Sequence, residues 1–164
     1  MKKKTLGLMS LIALLSCALS GCLRDDSAND GKEPVSAYIN FRLNLGEDLL
    51  NFYDVTGQNS DLMSYKMRYT ATETEWTYTE ESDQSKRMPE VVFNATARRK
   101  DNYTIDPQKE IFDFTFSYHI SWKGELSSKV VNNGGGLKVS KADIEQYLAD
   151  NPEIKLFDYS YKSN

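Results

Sequence analysis

The stretch from Ile111 to Trp122 constrains this chain more than any other. Phe112, Phe114, Phe116, Tyr118, Ile120 and Trp122 fall on every second position, and Asp113, Thr115, Ser117, His119 and Ser121 fill the gaps. A two-residue repeat places alternate side chains on opposite faces of an extended backbone, so the pattern predicts a strand with one face buried and one wet. Six large apolar residues in one row need a partner surface of similar size.

The same period recurs along the chain. In Ser36–Leu45, Ala37, Ile39, Phe41, Leu43 and Leu45 alternate with Ser36, Tyr38, Asn40, Arg42 and Asn44. Met63, Tyr65, Met67 and Tyr69 alternate with polar residues. Trp76 and Tyr78 have the opposite parity, which predicts a turn or bulge between Ala71 and Glu75. Val91, Phe93, Ala95 and Ala97 form a further inward row, and Phe157, Tyr159 and Tyr161 a last one. Loops are expected at Thr56–Asp61 and over residues 80–90 by composition, and a hairpin turn at Asn132–Gly136 between Val130-Val131 and Leu137–Val139. One helix is predicted after Ser140, with Asp143 in the acidic position of a capping box, Ile144, Tyr147 and Leu148 on one side, and Asn151-Pro152 as the stop. Seven to nine strands and one late helix imply an all-β fold. The expected form is an antiparallel β-sandwich, immunoglobulin-like or a relative, with an open β-barrel as the alternative.

The N-terminus obeys different rules. Lys2, Lys3 and Lys4 precede an uncharged, largely apolar run from Leu6 to Leu19, 14 residues long. As a helix this run would measure about 20 Å, short of a hydrocarbon core of about 30 Å. A basic start, a short apolar run and small residues after it have the form of a cleavable signal peptide. The run ends Leu19-Ser20-Gly21-Cys22, which resembles the lipobox of bacterial lipoproteins. That resemblance implies cleavage before Cys22 and a lipid on its sulfur. A thiolate is a strong nucleophile, suited to forming a thioether, and two or three acyl chains make a stable anchor where one does not. Cys17 would leave with the signal, so the mature chain would have no disulfide.

Three segments follow: residues 1–21 as signal, 22–34 as a lipidated cysteine with a flexible acidic tether, and 35–164 as one β-sandwich domain. The tether is polar, with Asp25 and Asp26 close behind the cysteine. All ten tyrosines, seven phenylalanines and two tryptophans lie beyond Cys22, as a folded domain with its own core requires. A lipobox, a short acidic tether and one β-rich domain resemble the small lipoproteins common in Bacteroidetes. Leu45-Gly46-Glu47-Asp48-Leu49-Leu50 adds to the likeness. The resemblance implies an envelope location, on the outer membrane and open to the cell surface, and carries over no catalytic residue.

Charge and residue types narrow the function. Without the three signal lysines the chain has 17 basic and 24 acidic residues, a net side-chain charge of −7, which opposes nucleic acid and anionic lipid as electrostatic partners. One histidine, His119, and one lipidated cysteine cannot build a nitrogen or sulfur metal site. His119 stands on a wet strand face beside Ser117 and Ser121, each nearly 7 Å away along the strand by ordinary strand geometry, without the context of a nucleophile elbow. Calcium would need oxygen ligands such as Asp54, Asn59 and Asp61, or Glu73, Glu75, Glu80, Glu81 and Asp83, which lack the spacing of an EF-hand. Glu73 and Glu75 could supply half of a glycosidase pair only if a second acid faced them across a cleft. No catalytic residue, cofactor or metal is therefore expected. Tyr38, Trp76 and Trp122 are the aromatics most open to a binding role, through stacking on sugars or on a protein partner. The expected function is non-enzymatic: a membrane-anchored domain binding an envelope protein or a glycan. A carboxylate hydrolase and a pilin-like subunit are the alternatives.

Overall fold

The computed structural model describes residues 36–163. The signal segment, Leu19, Ser20, Gly21, Cys22 and the tether all lie outside the described residues. Ten strands and two helices follow in order: β1 (Ala37–Leu45), α1 (Leu49–Phe52), β2 (Tyr53–Ser60), β3 (Lys66–Ala71), β4 (Glu75–Ser82), β5 (Glu90–Arg99), β6 (Ile111–Asp113), β7 (Phe116–Lys123), β8 (Ser128–Gly135), β9 (Lys138–Ser140), α2 (Ile144–Asp150) and β10 (Glu153–Lys162). One sheet has the order β4-β1-β7-β8 and the other β10-β5-β2-β3, while β6 and β9 form a separate ribbon. Every pairing is antiparallel. The sheets do not close on themselves, so the fold is an all-β sandwich and the barrel alternative falls.

Alternation builds the core as expected. Ala37, Ile39, Phe41 and Leu43 of β1 and Val91, Phe93, Ala95 and Ala97 of β5 are fully buried. Phe41 is the meeting point of the two sheets. Its ring lies 5.0 Å from Phe93, 5.4 Å from Trp76, 5.8 Å from Phe157 and 5.9 Å from Tyr69. Burying one such side chain is worth about 2–3 kcal/mol. The helix also ends as predicted, with the Asn151 backbone N–H donating to Tyr147 O before Pro152.

Five local expectations are corrected. Ile111–Trp122 keeps its parity but is not one strand. Asp113 Oδ1 accepts the Thr115 N–H at 2.9 Å and the Thr115 hydroxyl at 2.6 Å. This turn hands the chain from the β6–β9 ribbon to β7. Thr56–Ser60, expected as loop, is part of β2, an interior strand of its sheet. Its polar groups are satisfied by neighbours: the Gln58 N–H donates to Asn94 Oδ1 at 3.0 Å, and Ser60 Oγ accepts the Val92 N–H at 2.9 Å. Asn132–Gly135, expected as a hairpin turn, continues β8 and pairs with β7; only Gly136 takes a positive φ, of 89°. A Cβ on Gly136 would stand 2.2 Å from Phe114 O, and one on Gly134 2.5 Å from Phe116 O, so close backbone approach, not a hairpin, explains these glycines. Finally, Glu80 and Glu81 belong to β4, and α2 starts after Asp143, whose carboxylate accepts the Ser140 hydroxyl at 2.6 Å.

The turn between Ala71 and Glu75 exists, but it carries the chain from one sheet to the other. Among the described residues, successive strands pair directly in two places, the β2–β3 and β7–β8 hairpins.

Candidate functional site

The outer face of the β4-β1-β7-β8 sheet collects the most varied polar chemistry. Because Ile39, Phe41 and Leu43 point inward, the strand repeat turns Tyr38, Asn40, Arg42 and Asn44 outward. On β7 the same rule turns Ser117, His119 and Ser121 outward. Antiparallel register then sets Arg42 beside His119 and His119 beside Asn132, with Asn44 beside Ser117 and Asn40 beside Ser121. One hairpin, β7–β8, and a strand distant in sequence, β1, thus supply one surface.

A shallow depression of about 460 Å³ lies there, lined by Asn40, Arg42, Asn44, Ser117, Tyr118, His119, Asn132 and Asn133. His119 Nδ1 sits 2.6 Å from Asn132 Oδ1. With Nδ1 as the donor in the neutral ring, Nε2 is left as an acceptor. Asn44 Nδ2 donates to Ser117 Oγ at 3.4 Å, and Ser121 Oγ to the Tyr38 hydroxyl at 3.3 Å. Arg42 Nε is 3.4 Å from Glu75 Oε1, and both side chains are more than half exposed. Such a surface pair is weak and leaves the guanidinium free to turn to another acceptor. The surface therefore offers amides that donate and accept, one cation, one imidazole acceptor and one phenol ring.

The outer face of the other sheet has a depression of about 430 Å³, lined by Thr56, Gly57, Gln58, Arg68, Tyr69, Thr70, Asn94 and Thr96. No aromatic ring stands out from it, because Tyr69 turns into the core and donates its hydroxyl to Asn94 O at 2.8 Å.

The aromatics singled out from sequence separate. Tyr38 is half-buried on the polar face. Trp76 is half-buried, stacked on Tyr69 at 4.1 Å and 19°, so it closes the rim of the core. Trp122 is 1% exposed and donates its indole N–H to the Tyr159 hydroxyl at 3.1 Å. It joins the two sheets, and its binding role is corrected to a packing one, since its parity places it on the inward row of β7. Asp54 and Asp61 lie at opposite ends of β2, and Glu75 faces Arg42. Among the described residues no cluster of three or more His, Cys, Asp or Glu side chains is placed to hold a metal ion.

Sequence reasoning placed Asn40, Arg42 and Asn44 on a wet face but did not gather them, and it assigned Asn132 and Asn133 to a turn. The usable signal was the shared parity of β1 and β7; the missing information was their register. Compared with family models, curated proteins and solved structures, the chain finds no match.

Proposed function

We propose that this chain is the precursor of an envelope lipoprotein. In this reading the signal ends before Cys22, the Cys22 sulfur carries lipid, and the anchored domain binds a glycan without turnover. The membrane is the outer membrane, with the domain open to the surface. The observation that supports glycan binding is the convergence of Asn40, Arg42, His119 and Asn132 on one depression, with the Tyr38 ring on the same face two residues before Asn40. Sugar hydroxyls both donate and accept, as side-chain amides do, and sugar C–H faces pack on aromatic rings. A face of roughly neutral, hydrogen-bonding groups suits a hydroxylated ligand better than the apolar anchor residues that dominate protein interfaces.

Two measurements test the reading. Intact mass should show a mature chain beginning at Cys22 with added hydrocarbon, absent in Cys22→Ala. Titration of the detergent-solubilised protein against a panel of neutral and amino-sugar oligosaccharides should show binding that Arg42→Ala and Asn132→Ala each weaken by about tenfold, the cost of one or two lost hydrogen bonds. Arg68→Ala, on the other sheet, should leave it unchanged. Equal loss in all three variants, or no binding across the panel, removes the glycan assignment.

A further inference from the structure

We infer that the domain rests on its bilayer through the tips of its two hairpins, with Met63 and Tyr65 as the main contact and Leu126 as the second. The inference rests on the proposal that Cys22 is lipidated, and it adds an orientation to that reading.

Met63 and Tyr65 are 60% and 68% exposed and sit together on the loop joining β2 to β3. This loop is built, not loose. Asp61 Oδ1 accepts the Met63 N–H at 2.9 Å and the Tyr65 N–H at 2.8 Å, and the Asp61 N–H donates to Tyr65 O at 3.0 Å. Leu62 between them is buried, its N–H donating to Glu80 Oε2 at 3.0 Å. Ser64 takes the left-handed conformation, φ 64°, that closes the turn. A fixed loop that aims two large apolar side chains at solvent loses little order on inserting them.

The second tip is the β7–β8 turn, closed by the Gly124 N–H donating to Ser127 O at 2.9 Å, where Leu126 is 44% exposed. Both tips lie at one end of the sandwich, though they belong to different sheets. Tyr38, at the start of β1, pairs with Lys123 at the end of β7 and with Glu81 near the end of β4. Glu80, beside them in β4, holds Leu62. The Glu125 N–H donates to Lys86 O, in the 83–89 segment that crosses between the sheets at this end.

The chain enters the domain at the same end. The Ser36 N–H donates to Ser82 O at 2.9 Å, one residue before β1. From Cys22 to Ser36 is 14 residues, a span of at most about 50 Å. An anchor this short keeps the hairpin tips at high effective concentration beside the bilayer. A methionine, a tyrosine and a leucine suit the boundary between headgroups and acyl chains, where a phenol hydroxyl stays hydrated while its ring is buried. The polar face carrying Asn40, Arg42 and His119 lies along the side of the sandwich, so this orientation leaves it open to a ligand.

The test uses the full lipidated protein in phosphatidylcholine–phosphatidylethanolamine vesicles, with intact mass measured first. Met63→Cys, Leu126→Cys and, at the opposite end, Leu137→Cys each carry an environment-sensitive fluorophore. Lipids with a nitroxide at the top of the acyl chain should quench the probes at 63 and 126 by about twofold and leave the probe at 137 unquenched, as shallow insertion of one end requires. Adding Met63→Ser and Tyr65→Ser to Leu126→Cys should abolish the quenching there. A lipidated protein whose probe at 63 is as water-exposed as that at 137 overturns the orientation and leaves the anchor standing. Energy transfer between copies at 63 without lipid quenching overturns it in favour of a second copy. A mass without hydrocarbon removes both proposals.

Discussion

Lys109 sets its ammonium 2.9 Å from Oδ1 and 2.8 Å from Oδ2 of Asp48, a carboxylate that is only 1% exposed. Asp48 Oδ2 also accepts the Asp113 backbone N–H at 2.6 Å. One acid therefore ties three things together: the start of α1, the 100–110 loop and the β6–β7 turn. The hydrogen bond to Asp48 holds the Lys109 pKa above its ordinary value.

Removing one partner of such a pair strands the other. Asp48→Ala should cost about 3 kcal/mol, because it orphans an ammonium and a backbone donor together. Lys109→Met should cost a similar amount, since it leaves a 1%-exposed carboxylate with the Asp113 N–H but no counter-charge. Urea unfolding of the two variants checks this; a negligible loss in Lys109→Met would mean that Asp48 acts through the backbone N–H alone.

Gly57 should resist substitution. A Cβ there would stand 2.0 Å from Asn94 O and 2.6 Å from the Tyr69 hydroxyl, which lies across the glycine. Gly57→Ala must part β2 from β5 or expel Tyr69, at an expected cost of about 3 kcal/mol by the scale of overpacking. Tyr69→Phe loses only the hydroxyl's bond to Asn94 O, about 1 kcal/mol. Thermal unfolding should rank the two variants accordingly.

Acid should weaken the fold through Asp113. The Thr115 hydroxyl, then the Thr115 N–H, hold its pKa below the ordinary 3.8. A carboxyl depressed in the folded state contributes its stability above the unfolded pKa and loses it as pH falls through the folded value. Stability from this site should therefore be complete above about pH 5 and decline below about pH 4, in line with ordinary aspartate titration. Thr115→Val should move the acid unfolding midpoint upward, measured by fluorescence between pH 2 and 5.

Alkali should act through two buried tyrosines, Tyr53 and Tyr69, and the half-buried Tyr78. Burial pushes Tyr53 up to about 12, and burial likewise raises Tyr69 and Tyr78, the latter helped by its hydrogen bond to Glu80. Each is an acid whose neutral form is favoured in the fold. Its contribution is full below the unfolded pKa of about 10 and is lost as pH rises through the folded value. Phenolate absorbance from these three tyrosines should appear only together with unfolding; their ionisation near pH 10 in the folded protein would contradict the packing of all three.

Trp122→Phe should destabilise the domain by about 1–3 kcal/mol, through lost volume and an orphaned Tyr159 hydroxyl, and leave oligosaccharide titrations unchanged. Tyr38→Ala should do the reverse. Opposite results would restore Trp122 as a ligand contact.

The sequence by itself determined which side is dry in the strands whose large residues alternate. Phe41, Phe93, Ile120 and Trp122 are buried because a two-residue period is a local property of an extended backbone, readable wherever one face must leave water. From that parity came the all-β class, and from Ser36–Leu45 the wet row of Asn40, Arg42 and Asn44. Pairing is different, because it joins residues with no local sign of each other. Thr56–Ser60 looks like a loop until β3 and β5 supply Tyr69 to cover Gly57 and Asn94 to take the Gln58 N–H. Asn132 looks like a turn until register sets it beside His119, and Asn40 meets that pair only because β1 runs next to β7. The candidate surface was thus decided by the tertiary structure: hydrogen bonding between distant strands, which no local repeat encodes, chose its members.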